Sequence, residues 1–420
     1  MLKKSNLFLL VLCSISITLT ATIELNDRTN INYETSSDNV LNVQFQLGDI
    51  EIEEIQRNNE DFISISLENA HFLNIPGLPK LPQFNQLIEI PYEATPQIQL
   101  INTEEEVYDL DDFDMEGKIV PTQPSVSKSA NIDDIEFVIN SSAYTQDQFI
   151  NSEPVEINEE GLLRAVRFGN LMINPISYNP VTNELKIKRN IEFNITFEGA
   201  NYEATNTEKA RLYSPYFETI YKSMVNYSPL NSREDMIENQ VGYIIIANEV
   251  FNGHLDDFVE WKTQKGFKVD VAYTNEIGSS SANIRSYILS QYNNASPTPS
   301  FVLIVGDTQQ VPASYSSGGH VSDLDYCDLT NDNVPDLLHG RFSAQNPTQL
   351  LTQIEKTIEY ERYEMSDPSF LEEVIMISGV DANYAPTYGN GQINYGNTYY
   401  FNAGNGITSN TFLYPASGSS

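Results

Sequence analysis

The hydrophobic pattern of this 420-residue chain changes once, between residues 228 and 240. Before this segment, short stretches such as 42–47 and 62–67 alternate apolar and polar residues with a period of two, which is typical of half-buried strands. After it, continuous apolar stretches alternate with amphipathic ones, as in buried strands separated by helices. A single hydrophobic core rarely serves so long a chain. The sequence therefore predicts two folded domains joined by a linker at 228–240.

The first domain, residues 24–227, is predicted to be an all-β sandwich. A further alternating stretch at 191–197 follows a turn sequence at 179–183, and prolines and glycines punctuate the whole region, as they do between strands. The carboxylate-rich stretch 104–116 is predicted to be a solvated loop, because Asp and Glu prefer solvent. Apolar residues at three- and four-residue spacing predict one helix, at 213–227.

The second domain, residues 241–420, is predicted to be an α/β domain with a mainly parallel sheet, truncated at its C-terminus. Strands are predicted at 241–247, 267–273, 301–305 and 374–377, and helices at 255–265, 282–292 and 347–363. Because short connections separate these elements, right-handed crossovers are expected. The last stretch, 384–420, is predicted to be a loop.

The N-terminus predicts export. Residues 1–21 have the three-part layout of a signal peptide, with Lys3 and Lys4, an apolar stretch and small residues ending at Ala21. The mature protein is therefore expected to be secreted or held at the cell surface. Elsewhere no segment has the roughly 18 consecutive apolar residues that a membrane span requires, so no transmembrane segment is expected. After cleavage Cys327 would be the remaining cysteine, which excludes an internal disulfide.

The formal net charge of −35 limits the classes of partner. Nucleic acids and anionic membrane surfaces repel so acidic a protein, and both are excluded as partners. Divalent cations, in contrast, are favoured as ligands. Most of the carboxylates are nevertheless expected to form a solvated surface.

One acidic segment has the spacing of a cation-binding loop. Oxygen-bearing side chains occupy relative positions one, three, five and nine: Asp328, Thr330, Asp332 and Asp336. A loop that curls around Ca²⁺ brings such positions together, and carbonyls such as that of Val334 complete a shell of six to eight oxygens. Asp307 follows the predicted strand 301–305, at the edge where parallel sheets bind ligands. The alternative is an acidic surface turn without a metal.

The same segment contains a cysteine, Cys327, that could be a nucleophile. Cys327 lies seven residues after His320, and a Cys–His pair can supply a thiolate and a general base. However, the carboxylates beside Cys327 would raise the pKa of its thiol, so a small structural side chain is favoured. The remaining histidines are His71, predicted to be structural, and His254 and His339, which flank the acidic loop.

Ordered motifs occur in both domains. In the second domain they are the segments 243–246, 257–266, 302–307, 311–313, 322–323, 339–343 and 356–362. In the first domain they are 77–82, 90–91 and 178–182. The motifs of the second domain resemble the gingipain catalytic domain in order and spacing, and those of the first domain resemble the gingipain propeptide. The resemblance covers nearly the whole mature chain. It implies a caspase-like α/β fold, an inhibitory propeptide in contact with the catalytic domain, and cysteine endopeptidase activity on protein or peptide substrates.

The resemblance also implies a His–Cys dyad, with the histidine in a Gly-His-Gly turn and the cysteine after a later strand. Both would follow residue 378, yet residues 379–420 contain neither histidine nor cysteine. No catalytic residue is therefore assigned, and the chain alone is expected to be inactive. The competing hypothesis is a non-catalytic, calcium-stabilised surface or adhesion protein that retained the fold.

The resemblance finally implies a structural calcium site and a specificity pocket. The implied calcium ligands are Asp307, Asp332, Asp336 and the carbonyls of Leu329 and Val334. Spacing alone favours Asp328 over the Leu329 carbonyl, and both alternatives stay open. Residues 389–397 fall where the family forms its primary specificity pocket. Because Asn394 stands near the position of an acidic residue there, a preference for arginine does not follow.

Overall fold

The computed structural model describes residues 19–36, 39–58, 60–125, 135–230, 240–315, 319–379 and 385–414. These residues divide into two compact units. The first unit contains the described residues of 19–230 and, in addition, 328–337, and the second contains those of 240–327 and 338–414. Residues 328–337, which form the acidic loop, are thus grouped with the first unit. Residues 1–18 of the predicted signal peptide and residues 231–239 of the predicted linker lie outside the described residues.

The first unit is built from strands. They are β1 (Thr20–Ile23), β2 (Asn30–Thr35), β3 (Leu41–Gln46), β4 (Ile50–Arg57), β5 (Glu60–Ser66), β6 (His71–Phe72), β7 (Pro82–Glu89), β8 (Thr95–Asp109), β9 (Lys118–Ile119), β10 (Val155–Leu163), β11 (Val166–Ile173), β12 (Ile176–Asn179) and β13 (Glu184–Glu198). The described strands form sheets ordered β1-β4-β5-β9, β10-β11-β7-β6 and β12-β13-β3-β2, and β8 pairs along β13. Neighbours are antiparallel apart from β5 and β9.

Alternating side chains of these strands form the core of the first unit. On β3 and β13, buried residues face one another in the pairs Leu41–Ile195, Val43–Phe193 and Phe45–Ile191. Side chains from the other two sheets, such as Ile63 and Ile173, join the same cluster. Period-two burial on several sheets around one core is the property of a sandwich, which confirms the predicted β-sandwich.

The loop predicted at 104–116 is wrong. Its first half belongs to β8, whose carboxylates remain exposed along a strand with little burial. Cross-strand ion pairs from β13 offset the repulsion between them, since Lys186 lies 3.8 Å from Glu105 and Arg189 lies 3.3 Å from Glu106. Opposite charges on neighbouring strands stabilise pairing. A run of acidic residues can therefore form a strand when the neighbouring strand supplies basic residues that pair with it.

The helical part of the first unit also differs from the sequence prediction. The helix expected at 213–227 is confined to α2 (Pro215–Tyr221), and a second helix, α1 (Tyr202–Arg211), precedes it. α1 has no apolar stripe that the sequence could reveal. Its N-terminus is stabilised instead by Asn201, whose side chain accepts a hydrogen bond from the Ala204 N–H.

The second unit contains the parallel sheet. Its elements are β14 (Val241–Ala247), α3 (Asp256–Gln264), β15 (Phe267–Tyr273), α4 (Thr274–Ile277), α5 (Ser281–Asn294), β16 (Pro299–Val305), β17 (Ser314–Tyr315), β18 (Val321–Ser322), β19 (Leu338–Phe342), α6 (Pro347–Arg362), β20 (Glu373–Ile377), α7 (Asn390–Tyr399) and β21 (Thr408–Phe412). The sheet order is β15-β14-β16-β19, and all three pairings are parallel. The predicted α/β domain with a mainly parallel sheet is confirmed. None of the described helices is long and apolar enough to cross a membrane.

The loop predicted at 384–420 is also wrong, because this stretch contains α7 and β21. β21 pairs in parallel with β20. Asn390 connects the start of α7 to the end of β21, since its side chain donates to the Tyr414 carbonyl at 2.6 Å and accepts from the Tyr414 N–H. The side chain of Asn397 donates one hydrogen bond to the Thr411 hydroxyl on β21, at 2.8 Å. Polar side chains thus stabilise a helix and a strand that lack the apolar periodicity on which the prediction relied.

Candidate functional site

The acidic loop, residues 328–337, is held in shape by its own carboxylates. Asp328 accepts hydrogen bonds from the backbone N–H groups of Asp332, at 3.1 Å, and Asn333, at 3.0 Å. Asp332 Oδ1 accepts from the Val334 N–H at 2.9 Å. Asn331 and Asn333 adopt positive φ angles of 62° and 68°, a conformation that asparagine tolerates better than most residues. The sequence thus specifies a tight curl, as the spacing predicts.

Asp336 lies at the centre of this curl and is 0 % exposed. Its Oδ2 accepts from the N–H groups of Leu329, at 2.8 Å, and Thr330, at 3.3 Å. Its Oδ1 is buried and has no hydrogen-bond partner among the described residues. Burial raises the pKa of Asp336 to about 6, the Leu329 N–H opposes this, and the nearby carboxylate of Asp332 raises the pKa further. A buried carboxylate oxygen without a partner needs explanation, and an oxygen-binding cation would supply it.

Strands β10 and β11 bring a second set of residues to the loop, all within the first unit. The N–H of Leu162 donates to Asp332 Oδ2 at 2.7 Å. Arg164, between the two strands, is 0 % exposed and donates to the Asp336 carbonyl at 3.1 Å. Neither Leu162 nor Arg164 is among the site residues predicted from the sequence. Because they lie about 170 positions from the loop, no local pattern signals the contact.

Asp307, the ligand predicted from the sheet edge, directly follows Gly306 at the C-terminal end of β16. Its carboxylate accepts from Gln345 at 2.9 Å, from Ser343 at 3.1 Å and from the Thr308 N–H at 2.8 Å. These hydrogen bonds, with that of Gln345 first, lower the pKa of Asp307. Asp307 is therefore a charged group at the sheet edge, as its position after a buried strand predicts.

The same edge of the parallel sheet carries an ion pair that is not among the predictions from the sequence. Arg341, on β19, binds both oxygens of Asp323, at 2.8 and 2.7 Å. Its guanidinium also donates to the carbonyls of Gly306 at 2.7 Å and Val311 at 2.9 Å. A bidentate arginine with further carbonyl contacts fixes geometry as well as charge. Arg341 thus connects the ends of β16 and β19 with the segment that follows β16.

The surroundings of Cys327 and His320 do not suit a catalytic Cys–His pair. Cys327 is 0 % exposed, whereas His320 is exposed. A thiol must reach its substrate to act as a nucleophile, so the burial of Cys327 agrees with a structural role. His71 and His339 are exposed, on β6 and β19, and His254 is half-buried. Asn394 is exposed on α7.

Among the described residues, no group of three or more His, Cys, Asp or Glu side chains is arranged to hold a metal ion. The predicted calcium site does not consist of side chains alone, because two of its five ligands are the backbone carbonyls of Leu329 and Val334. The calcium site therefore stays a prediction. The residues present fit it in one respect: the partnerless Oδ1 of Asp336 is an oxygen donor in an oxygen-rich loop.

Comparison with known proteins identifies the family. The sequence profile described as Peptidase family C25 matches residues 237–413, and the profile Propeptide_C25 matches residues 26–225. A Lys-gingipain of Porphyromonas gingivalis is 34 % identical over 377 residues, which are 88 % of this chain and 22 % of that protein. The chain belongs to the gingipain family of cysteine peptidases. Gingipain R2 of the same species is 26 % identical over 353 residues, 79 % of this chain and 47 % of that protein.

A solved structure on the zymogenic latency of gingipain K from Porphyromonas gingivalis is also similar. It is 33 % identical, with a TM-score of 0.39, and covers 43 % of this chain and 100 % of that one. The chain spans 22 % of the length of the Lys-gingipain that is 34 % identical to it, or about a fifth. In this gingipain-family chain the matched propeptide precedes the matched peptidase segment.

Proposed function

We propose that this chain is the front portion of a secreted cysteine endopeptidase precursor. Residues 24–227 act as an inhibitory propeptide that restricts access of protein or peptide substrates until the linker at 228–240 is cut. The observation that carries this proposal is the order of the two family matches, propeptide first and peptidase second, in one chain. Secretion depends on the signal peptide predicted at residues 1–21.

The chemistry requires groups that this chain does not provide. A cysteine peptidase needs a thiolate and a base within hydrogen-bond reach of each other. Cys327 is buried, and residues 379–420 contain no cysteine or histidine. We therefore propose that the dyad lies in sequence that follows residue 420 in the full-length protein. Residues 1–420, which contain the propeptide and the matched peptidase segment, are expected not to hydrolyse substrate by themselves.

We propose further that the acidic loop holds one structural Ca²⁺. Asp332 and Asp336 supply carboxylate oxygens, and the Leu329 and Val334 carbonyls complete the loop's share of the shell. Asp307 is the fifth proposed ligand. The support comes from the buried, partnerless Oδ1 of Asp336. When bound, the ion would neutralise carboxylates that otherwise repel one another; its function would be structural.

The test uses the full-length protein, including the sequence that follows residue 420. Hydrolysis of peptide substrates is measured before and after cleavage of the linker. We expect activity to rise after cleavage and to be lost on treatment with a thiol reagent. Tethering keeps an inhibitory segment at high effective concentration, so the uncut protein should stay latent. Equal activity before and after cleavage would contradict the inhibitory role of the propeptide. If the cleaved protein showed no hydrolysis that a thiol reagent abolishes, the proposed cysteine peptidase activity would be wrong.

A further inference from the structure

The hairpin formed by β10 and β11 approaches the acidic loop through its tip, residues 161–164. Leu162 donates its N–H to Asp332 Oδ2, while Val334 donates its own to Oδ1. Both oxygens of this carboxylate are thus oriented, one by the hairpin and one by the loop. A carboxylate that is already oriented loses less rotational freedom when it binds a ligand.

Gly161 permits this close approach. A Cβ atom at this position would lie 2.7 Å from Asp332 Oδ2 and 3.1 Å from Asp332 Cγ. The hairpin register shifts between Glu159 and Gly161, and such a bulge redirects the chain that follows it. Any side chain at position 161 would push the loop carboxylate out of its place. The glycine is therefore a steric requirement of the contact between hairpin and loop.

Arg164 makes the second contact under conformational strain. Its φ is 54°, which is uncommon for a residue other than glycine and persists where the surroundings enforce it. The guanidinium lies 5.3 Å from the Phe217 ring and donates to the Leu212 carbonyl at 2.6 Å as well as to the Asp336 carbonyl. Arg164 thus ties the backbone of Asp336 to the helical part of the propeptide.

These contacts leave acceptor capacity for a cation. A carboxylate offers about four lone-pair sites. Each oxygen of Asp332 uses one in the hydrogen bonds described above, and Asp336 Oδ1 uses none among the described residues. The hairpin and a cation therefore do not need the same lone pairs. Because the hairpin holds Asp332 and Asp336 in place, it maintains the arrangement that a cation would bind.

We propose that the hairpin tip and Ca²⁺ bind the acidic loop cooperatively, so that calcium strengthens the attachment of the propeptide to the loop. This inference rests on the calcium site of the proposed function and adds a regulatory role to it. By thermodynamic linkage, the factor by which the docked tip raises calcium affinity equals the factor by which calcium raises tip affinity. Calcium would then favour the latent precursor in addition to stabilising the peptidase segment.

Calcium titration of the chain, with heat as the readout, tests the coupling. Gly161→Ala and Arg164→Ala should weaken calcium binding by about 5- to 150-fold, the usual range of such coupling. Arg167→Ala is the matched control, since Arg167 lies on the same hairpin but pairs with Glu159 and the Pro91 carbonyl. The calcium dissociation constant of Arg167→Ala should differ by less than about twofold from that of the unaltered chain, because changes at independent sites have little effect on one another.

Amide hydrogen exchange of the unaltered chain supplies a readout that needs no variant. Calcium should slow exchange at Leu162 relative to a chelator. The coupling would be wrong if calcium did not slow exchange at Leu162 and if Gly161→Ala and Arg164→Ala bound calcium as tightly as the unaltered chain. That result would not contradict the calcium site itself. Tighter binding in the variants would show competition and overturn the coupling too. If the unaltered chain binds no calcium, both the site and the coupling are wrong.

Discussion

Glu361 provides the sharpest test of how the second unit is stabilised. This carboxylate on α6 accepts three hydrogen bonds from α3 and the residue after it: from Trp261 at 2.8 Å, Lys262 at 2.7 Å and Lys265 at 2.9 Å. We predict that Glu361→Gln lowers the free energy of unfolding, because the amide keeps the shape of the side chain but loses its charge.

The magnitude follows from the exposure of the two lysines. The Lys262 side chain is 10 % exposed and lies 5.1 Å from the Phe258 ring, so its hydrogen bond to a charged group contributes about 1.5–3 kcal/mol. The Lys265 side chain is 38 % exposed, and such an ion pair contributes less than about 1 kcal/mol. The expected loss is therefore about 1.5–4 kcal/mol.

Urea unfolding followed by fluorescence is the assay, because Trp261 is the single tryptophan and lies in this network. Glu355→Gln is the matched control, since Glu355 is exposed on the same helix, and it should change stability by less than about 0.5 kcal/mol. The same small change for Glu361→Gln would refute the reasoning.

The pH dependence gives a second check on Glu361. Burial alone would raise the pKa of Glu361, but the hydrogen bonds from Lys262, Lys265 and Trp261 outweigh it and lower the pKa. A lowered folded-state pKa means that the stabilisation is complete above the unfolded pKa, about 4.3, and is lost as the pH falls through the folded value. The difference between the unaltered chain and Glu361→Gln should therefore persist at neutral pH and vanish in strong acid.

Three further predictions concern the precursor. Calcium at about 100 times its dissociation constant should add about 2.7 kcal/mol of stability, seen as a higher melting temperature than in chelator, and Asp332→Ala should remove this difference; identical melting would exclude the site. Limited proteolysis should cut first within 228–240, for example after Arg233, whereas a first cut within 42–67 would contradict the domain boundary. Residues 1–420 should not hydrolyse peptides; hydrolysis abolished by Cys327→Ala would overturn the assignment of Cys327.

Parts of this fold could be predicted because local sequence reports burial directly. Most residues of strand β14 are buried, and its continuous apolar run predicts the observed bounds, Val241–Ala247. Strand β15 also has the predicted bounds, although most of its residues are only half-buried. Strand β8 and helix α7 could not be predicted, since ion pairs with β13 and the side-chain hydrogen bonds of Asn390 and Asn397 replace apolar periodicity. Local propensity is a weak guide where tertiary partners decide.

The candidate site divides in the same way. The curl of the acidic loop follows from Asp and Asn residues that are close together in the sequence. Its attachment to the hairpin depends on Gly161 and Arg164, and the hydrogen bond between Leu162 and Asp332 spans 170 positions. Such a pairing arises from the tertiary fold, so one sequence alone carries no signal for it.

Alkylation of cysteines in the full-length protein tests the central proposal most directly. The protein is treated with iodoacetamide before and after linker cleavage, and the modified cysteines are located by mass spectrometry. We predict that a cysteine following residue 420 becomes labelled after cleavage but not before, and that Cys327, which is 0 % exposed, stays unlabelled in the folded protein throughout. Labelling of Cys327, or equal labelling of the downstream cysteine before and after cleavage, would contradict the account of a propeptide-covered cysteine peptidase.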